Sequence, residues 1–195
     1  MKGFLAYFND CTSENFYNRT WSVVRKDDIN NKILMNVQFS EPDYYHCCNM
    51  SVAVYENLDV KEYKLIVDRL LTYLNTLAGN NTIIYVTTAI QELPADTTFR
   101  DALVDLKFVV DTKDNSNLIY EVPPTDWIGV YMCLGVAIGM SLGMSTTGYA
   151  TLGVAIGTAL GAALGAFLNS KTKKERAALW NARINGTEPP AGKKR

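Results

Sequence analysis

From Trp127 to Leu168 the chain carries no charged residue, and glycine recurs every fourth position in two blocks: Gly135, Gly139, Gly143, then Gly153, Gly157, Gly161, Gly165. One bilayer crossing takes about 20 apolar residues, so this run is long enough for two. Ser145-Thr146-Thr147-Gly148 interrupts it near the middle. The predicted spans are therefore Trp127–Met144 and Tyr149–Leu168. Each would be about 27–30 Å long at about 1.5 Å per residue, which matches a hydrocarbon core of about 30 Å. So short a link forces the helices antiparallel.

Inside lipid the hydrophobic effect gives no drive for helix association. Dispersion contacts between closely approaching backbones must supply it, and a stripe of small residues permits that approach. Four residues make about 400° of helical turn, so each glycine stripe drifts slowly around its axis and favours ridges spaced four apart. The segment Gly135-Val-Ala-Ile-Gly139 recurs as Gly153-Val-Ala-Ile-Gly157, as if one packing solution were used twice. Over residues 127–168 the chain resembles the glycine-zipper segments of many small bacterial membrane proteins and of some channels. Two uses of the stripes are open: they lock one hairpin shut, or they join hairpins into a ring. Ala155, Ala159, Ala162, Ala163 and Ala166 keep the second helix small on more than one face. No Asp, Glu, Lys, Arg or His lies within the spans to mark an ion pathway.

The total charge of −1 hides an asymmetry. Residues 1–125 carry a net −6, residues 126–168 only Asp126, and residues 169–195 a net +6. This divides the chain into a soluble domain at 1–125, a transmembrane hairpin at 126–168 and a basic juxtamembrane tail at 169–195. Lys171, Lys173, Lys174 and Arg176 follow the second span, and basic residues flank cytoplasmic helix ends. The C-terminus is thus expected inside, and a hairpin returns the N-terminal domain to the same side. Trp127 and Trp180 are the expected interfacial aromatics. Phe4–Phe8 is too short for a signal h-region. Cys11, Cys47, Cys48 and Cys133 have no framework spacing and read as reduced thiols, and the sequons at Asn18, Asn49, Asn80 and Asn185 read as chance matches.

In the soluble part, Asp59-Val-Lys-Glu62 is a variant capping box. Tyr63, Ile66, Val67, Leu70, Leu71, Leu74 and Leu77 follow at helical spacing, with Gly79 as the stop. A second helix is predicted over Thr97–Leu106, capped by Asp96. Segments of strand character are Gly3–Phe8, Thr20–Arg25, Ile33–Phe39, Val52–Tyr55, Ile83–Ile90, Phe108–Asp111 and Leu118–Val122. Ile33, Met35, Val37 and Phe39 alternate cleanly, and Lys113–Ser116 turns the chain between the last two strands. The predicted class is α+β: a mostly antiparallel sheet with one or two packed helices, followed by the two-helix hairpin.

Asp43-Tyr44-Tyr45-His46-Cys47-Cys48 holds the one histidine beside two thiols. Neighbouring residues on an extended chain point to opposite faces, and no second Cys/His pair completes a zinc site. The cluster reads as structural, and no metal, cofactor or catalytic residue is predicted. No phosphate loop, nucleophile elbow or carboxylate pair occurs in the soluble part, and a net −6 argues against nucleic acid. The expectation is a non-enzymatic integral membrane protein. Its cytosolic domain would bind a protein or small-molecule signal, and its hairpin would form homo-oligomers in the lipid bilayer as a membrane-perturbing or pore-forming effector. The alternative is a passive anchor or scaffold that recruits a protein through the acidic domain.

Overall fold

The computed structural model describes residues 4–8, 17–26, 30, 32–78, 82–95, 97–146 and 150–188. The chain forms two compact units, Met1–Pro123 and Pro124–Arg195. Two of the predicted helix signals, Asp96 and Gly79, lie outside the described residues, as do Cys11 and Asn80.

The first unit runs β1 (Phe4–Phe8), β2 (Thr20–Arg25), β3 (Ile33–Phe39), β4 (Cys47–Val54), α1 (Val60–Ala78), β5 (Tyr85–Ala89), a 3-10 turn, α2 (Thr97–Asp105), β6 (Val109–Val110) and β7 (Asn117–Glu121). The seven strands form one sheet in the order β1-β2-β3-β4-β5-β7-β6. Every pairing is antiparallel except β4 with β5. The class is thus α+β, as the strand and helix signals imply, with one parallel pair they do not reveal. That pair follows from α1, because a parallel strand can be reached only by a long crossover.

The ladder fixes which residues share a face. Trp21, Val23, Met35, Val37, Phe39, Cys48, Met50, Val86 and Leu118 all belong to one buried cluster, joined by Tyr63, Ile66, Val67, Leu70, Leu71 and Leu74 of α1 and by Phe99, Ala102 and Leu103 of α2. Leu77, assigned to the same helical stripe by spacing, is exposed. The capping box forms as its spacing predicts: the Glu62 amide donates to Asp59 Oδ1 at 2.7 Å, and the Asp59 amide reaches Glu62 Oε2 at 3.5 Å. Arg25 then ties β2 to the helix start, with Nη1 3.3 Å from Glu62 and Nη2 3.6 Å from Glu56. Tyr63 packs edge-on to Phe99 with centroids 5.0 Å apart, and its hydroxyl accepts from the Leu58 amide at 3.2 Å. The turn at Lys113–Ser116 is held by Asp114, whose Oδ1 accepts from the Ser116 amide at 2.9 Å.

The second unit is α3 (Trp127–Thr146) and α4 (Ala150–Asn185). The second helix does not stop at Leu168. It continues unbroken through the basic residues to Asn185 and ends in a Schellman cap, with Gly186 at φ +64°. The Thr187 amide donates to Ala182 O at 3.0 Å and the Gly186 amide to Arg183 O at 3.4 Å. The second span and the tail as far as Asn185 are therefore one helix.

Leu103 is fully buried between α2 and the sheet, whereas Leu65 on α1 is 38% exposed. Leu103→Ala is expected to cost about 2–5 kcal/mol and Leu65→Ala to stay within about 0.5 kcal/mol, read by chemical denaturation of the full chain.

Candidate functional site

The two hairpin helices meet backbone to backbone. A methyl group on Gly135 would overlap the carbonyl of Gly157, and one on Gly157 would overlap that of Gly135. Gly139 and Gly153 oppose each other in the same way, and Gly153 also abuts Gly143. Further along α4, Gly161 lies against the Tyr131 carbonyl and Gly165 against the backbone of Trp127 and Ile128. The contacts step by one helical turn on each strand of the hairpin, so the four-residue repeat is the register of the packing. All seven glycines of the two blocks are thus brought together within one chain. The repeat is also asymmetric. At Gly161 and Gly165 only α4 supplies glycine, and α3 presents main chain beside the larger Tyr131 and Trp127.

A polar clasp closes the end of this seam. Asp126 caps α3, its Oδ1 accepting from the Ile128 amide at 3.0 Å. Asn169 spans the two helices: its Oδ1 accepts from the Trp127 amide at 3.0 Å, and its Nδ2 donates to Asp126 Oδ1 at 3.1 Å. Two amides of the first turn of α3, which a helix leaves without internal partners, are satisfied in this way. Asn169 was not among the predicted site residues. The available signal was its position, four residues past Gly165 on the glycine stripe. Three hydroxyls of the spans turn inward to their own helices: Ser141 Oγ donates to Ala137 O at 2.9 Å, Ser145 Oγ to Leu142 O at 3.1 Å and Thr158 Oγ1 to Val154 O at 2.7 Å. That disposition suits a medium without water, where every polar group needs an internal partner.

The predicted interfacial residues separate into two groups. Lys171, Lys173 and Lys174 are exposed, and Lys171 makes an exposed i,i+4 contact of 3.8 Å with Glu175, a pair of little energetic weight. Trp127 is half-buried, with its ring 6.2 Å from that of Tyr131. Arg176 departs from expectation because its side chain is buried, and Trp180 is half-buried beneath the Arg183 guanidinium, 5.6 Å from its ring centre.

The histidine and thiol cluster of the first unit is a turn. Asp43 Oδ1 accepts from the amides of Tyr45 at 2.8 Å and Cys47 at 2.9 Å. His46 takes φ +59°. Its Nδ1 lies 2.9 Å from Thr82 O, and its carbonyl accepts from Ile84 N at 2.9 Å, joining the starts of β4 and β5. The two thiols diverge: Cys47 Sγ lies 3.8 Å from Thr87 Oγ1, while Cys48 Sγ points to Ser40 O at 3.0 Å. Burial pushes the Cys48 thiol from 9.0 up to about 12, which removes the thiolate needed for nucleophilic chemistry. Beyond Asn49 and Thr87 the strands β4 and β5 no longer pair. Met50 and Thr88 on either side of that divergence are buried.

No family model and no curated protein matches this chain. Solved structures that resemble it include mutant forms of the spermidine/spermine N-acetyltransferase SpeG from Vibrio cholerae, at 13% identity and a TM-score of 0.39 over 55% of this chain and 68% of that one. Another is a ribosomal-protein-S5-alanine acetyltransferase from Vibrio fischeri, at 16% identity and a TM-score of 0.35 over 56% of this chain and 63% of that one. Both are enzymes. This finding corrects the expectation of a non-enzymatic effector or passive scaffold; the α+β description stands. Scores of this size assign no reaction, ligand or catalytic residue to this chain.

Gly157→Ala places a methyl against the Gly135 carbonyl and is expected to destabilise the hairpin by about 1–3 kcal/mol. Gly129, whose nearest neighbour would be Asp126 Oδ2 at 3.4 Å, is the control: Gly129→Ala is expected to be neutral or to stabilise by up to about 1 kcal/mol. Thermal unfolding in mild detergent, followed by circular dichroism, reads both. A raised folded-state pKa means that the Cys48 contribution to stability is complete below pH 9 and is lost as pH climbs toward 12. Cys48→Ala should flatten the decline of the denaturation midpoint across that window.

Proposed function

We propose that the C-terminal unit is a two-span membrane hairpin that holds the α+β unit at the cytoplasmic face of a lipid bilayer, with both chain termini on that side. The observation that carries this reading is where the apolar side chains lie. The candidate spans Trp127–Ser145 and Ala150–Asn185 contain windows of mean hydropathy 1.7 and 1.8, of which only 11% and 17% is buried within the molecule. A core helix of a soluble protein would be mostly covered. Here Leu134, Ile138, Leu142, Leu152, Ile156, Leu160, Leu164 and Phe167 are all at least half exposed. So large a contiguous apolar surface is unsuited to water and suited to hydrocarbon. Internally satisfied hydroxyls and the Asn169 clasp supply the polar bookkeeping that a bilayer requires.

Charge sets the orientation. The turn between the helices carries no charge, and Lys171, Lys173 and Lys174 stand just past the second span, which favours the cytoplasmic side. The α+β unit, on the same side by hairpin geometry, carries its net negative charge near the membrane surface.

Single-cysteine labelling tests the topology in intact cells. With Cys11 and Cys133 changed to Ser, and Cys47 and Cys48 buried, a membrane-impermeant maleimide is expected to label Ser145→Cys from outside, and Thr172→Cys only after permeabilisation. Labelling of Thr172→Cys in intact cells, or extraction of the full chain by alkaline carbonate, would contradict the reading.

A further inference from the structure

One face of the hairpin carries a groove with a volume of about 380 Å³. Its floor is the glycine seam, where no side chain stands. Its walls are two rows of branched aliphatics at four-residue spacing, Leu134, Ile138 and Leu142 on α3 and Ile156, Leu160 and Leu164 on α4. We propose that this groove holds one acyl chain of an anionic phospholipid, whose headgroup is received by Lys171 and Lys174. The proposal rests on the bilayer reading above and names the lipid class that the hairpin selects.

Three features choose this occupant. The first is width. Two helices with touching backbones leave a furrow far narrower than a third helix, which with its side chains is about 10–12 Å across. The second is length. Lining residues run from Tyr131 to Leu142 on one wall and from Leu152 to Leu164 on the other, about 17–18 Å at about 1.5 Å per residue. One leaflet of the hydrocarbon core is about half of 30 Å thick, so the groove is long enough for the chain of one leaflet. The third is charge. Seven residues make about 700° of turn, so Lys171 stands two turns beyond Leu164 on nearly the same face of α4, and Lys174 one turn further. Both are exposed. Tyr131, the lining residue with a hydroxyl, lies at this same end. A phosphate there meets two ammonium groups, that of Lys171 exchanging its weak exposed contact with Glu175, whereas a second copy docked side by side would bring its own lysines to the same end, like against like.

Native mass spectrometry of the full chain, released from mild detergent containing equal dioleoyl phosphatidylglycerol and dioleoyl phosphatidylcholine, tests this. One retained phosphatidylglycerol is expected, at least about five-fold over phosphatidylcholine, the ratio equivalent to the roughly 1 kcal/mol that a single basic residue contributes near an anionic surface. Lys171→Gln/Lys174→Gln should lower that preference about five-fold or more. Ile138→Phe/Leu160→Phe, which fills the groove while keeping it apolar, should lower retention of both lipids. Equal retention of the two lipids, retention indifferent to both double variants, or a lipid-free dimer would overturn the proposal. Carbonate extraction of the same proteins separates the two readings: a chain that stays in the membrane and fails the lipid test overturns only this proposal, whereas a chain that washes off overturns the bilayer reading as well.

Discussion

Contact between main chains along the glycine seam is the interaction on which the second unit depends. Gly135 against Gly157 and Gly139 against Gly153 bring peptide groups to a separation that any Cβ would prevent. In lipid, where burying leucine against leucine gains nothing over leucine against acyl chain, such proximity is the available source of helix association. Other features follow from it. The aliphatic side chains are displaced outward from the seam, and the groove has a floor without side chains. The clasp of Asp126 and Asn169 closes the end at which α3 contributes no glycine.

The first unit depends on a different physics, burial from water. Tyr63 through Leu74 of α1 and Phe99 through Leu103 of α2 cover one face of the sheet, and the capping box with its Arg25 contact fixes where α1 begins. His46 and Asp43 hold the turn from which β4 starts, and the His46 carbonyl binds the amide of Ile84 just before β5. The most reactive-looking residues in the chain are thus used for geometry.

Local signals in the sequence were read well where the physics is local. The α1 cap, the Asp114 turn and the alternation through Met35, Val37 and Phe39 each depend on residues within one element. The four-residue glycine period likewise reported the hairpin register. What escaped is non-local. The parallel pairing of β4 with β5 joins segments separated by a nineteen-residue helix, and no local pattern encodes it. The strand predicted from Val52 starts five residues earlier, at Cys47, because Cys48 and Met50 extend its buried alternation across the intervening polar Asn49 and Ser51. Asn169 escaped because it falls on the tail side of the boundary drawn at Leu168, although its spacing continues the glycine stripe. Leu77 is exposed, since helical periodicity fixes a face and leaves open what covers it, and Arg176, assigned to the interface by its charge, is buried.

The central claim is that the two helices close on each other along the glycines while embedded in lipid. Dipolar broadening in the EPR spectrum tests it directly, using spin labels at Ile138→Cys and Ile156→Cys on opposite walls of the groove, with Cys11 and Cys133 changed to Ser and the full chain in phospholipid vesicles. The account predicts strong broadening relative to the summed spectra of the two singly labelled proteins. A spectrum equal to that sum would mean that the helices stand apart in the bilayer, and would contradict it.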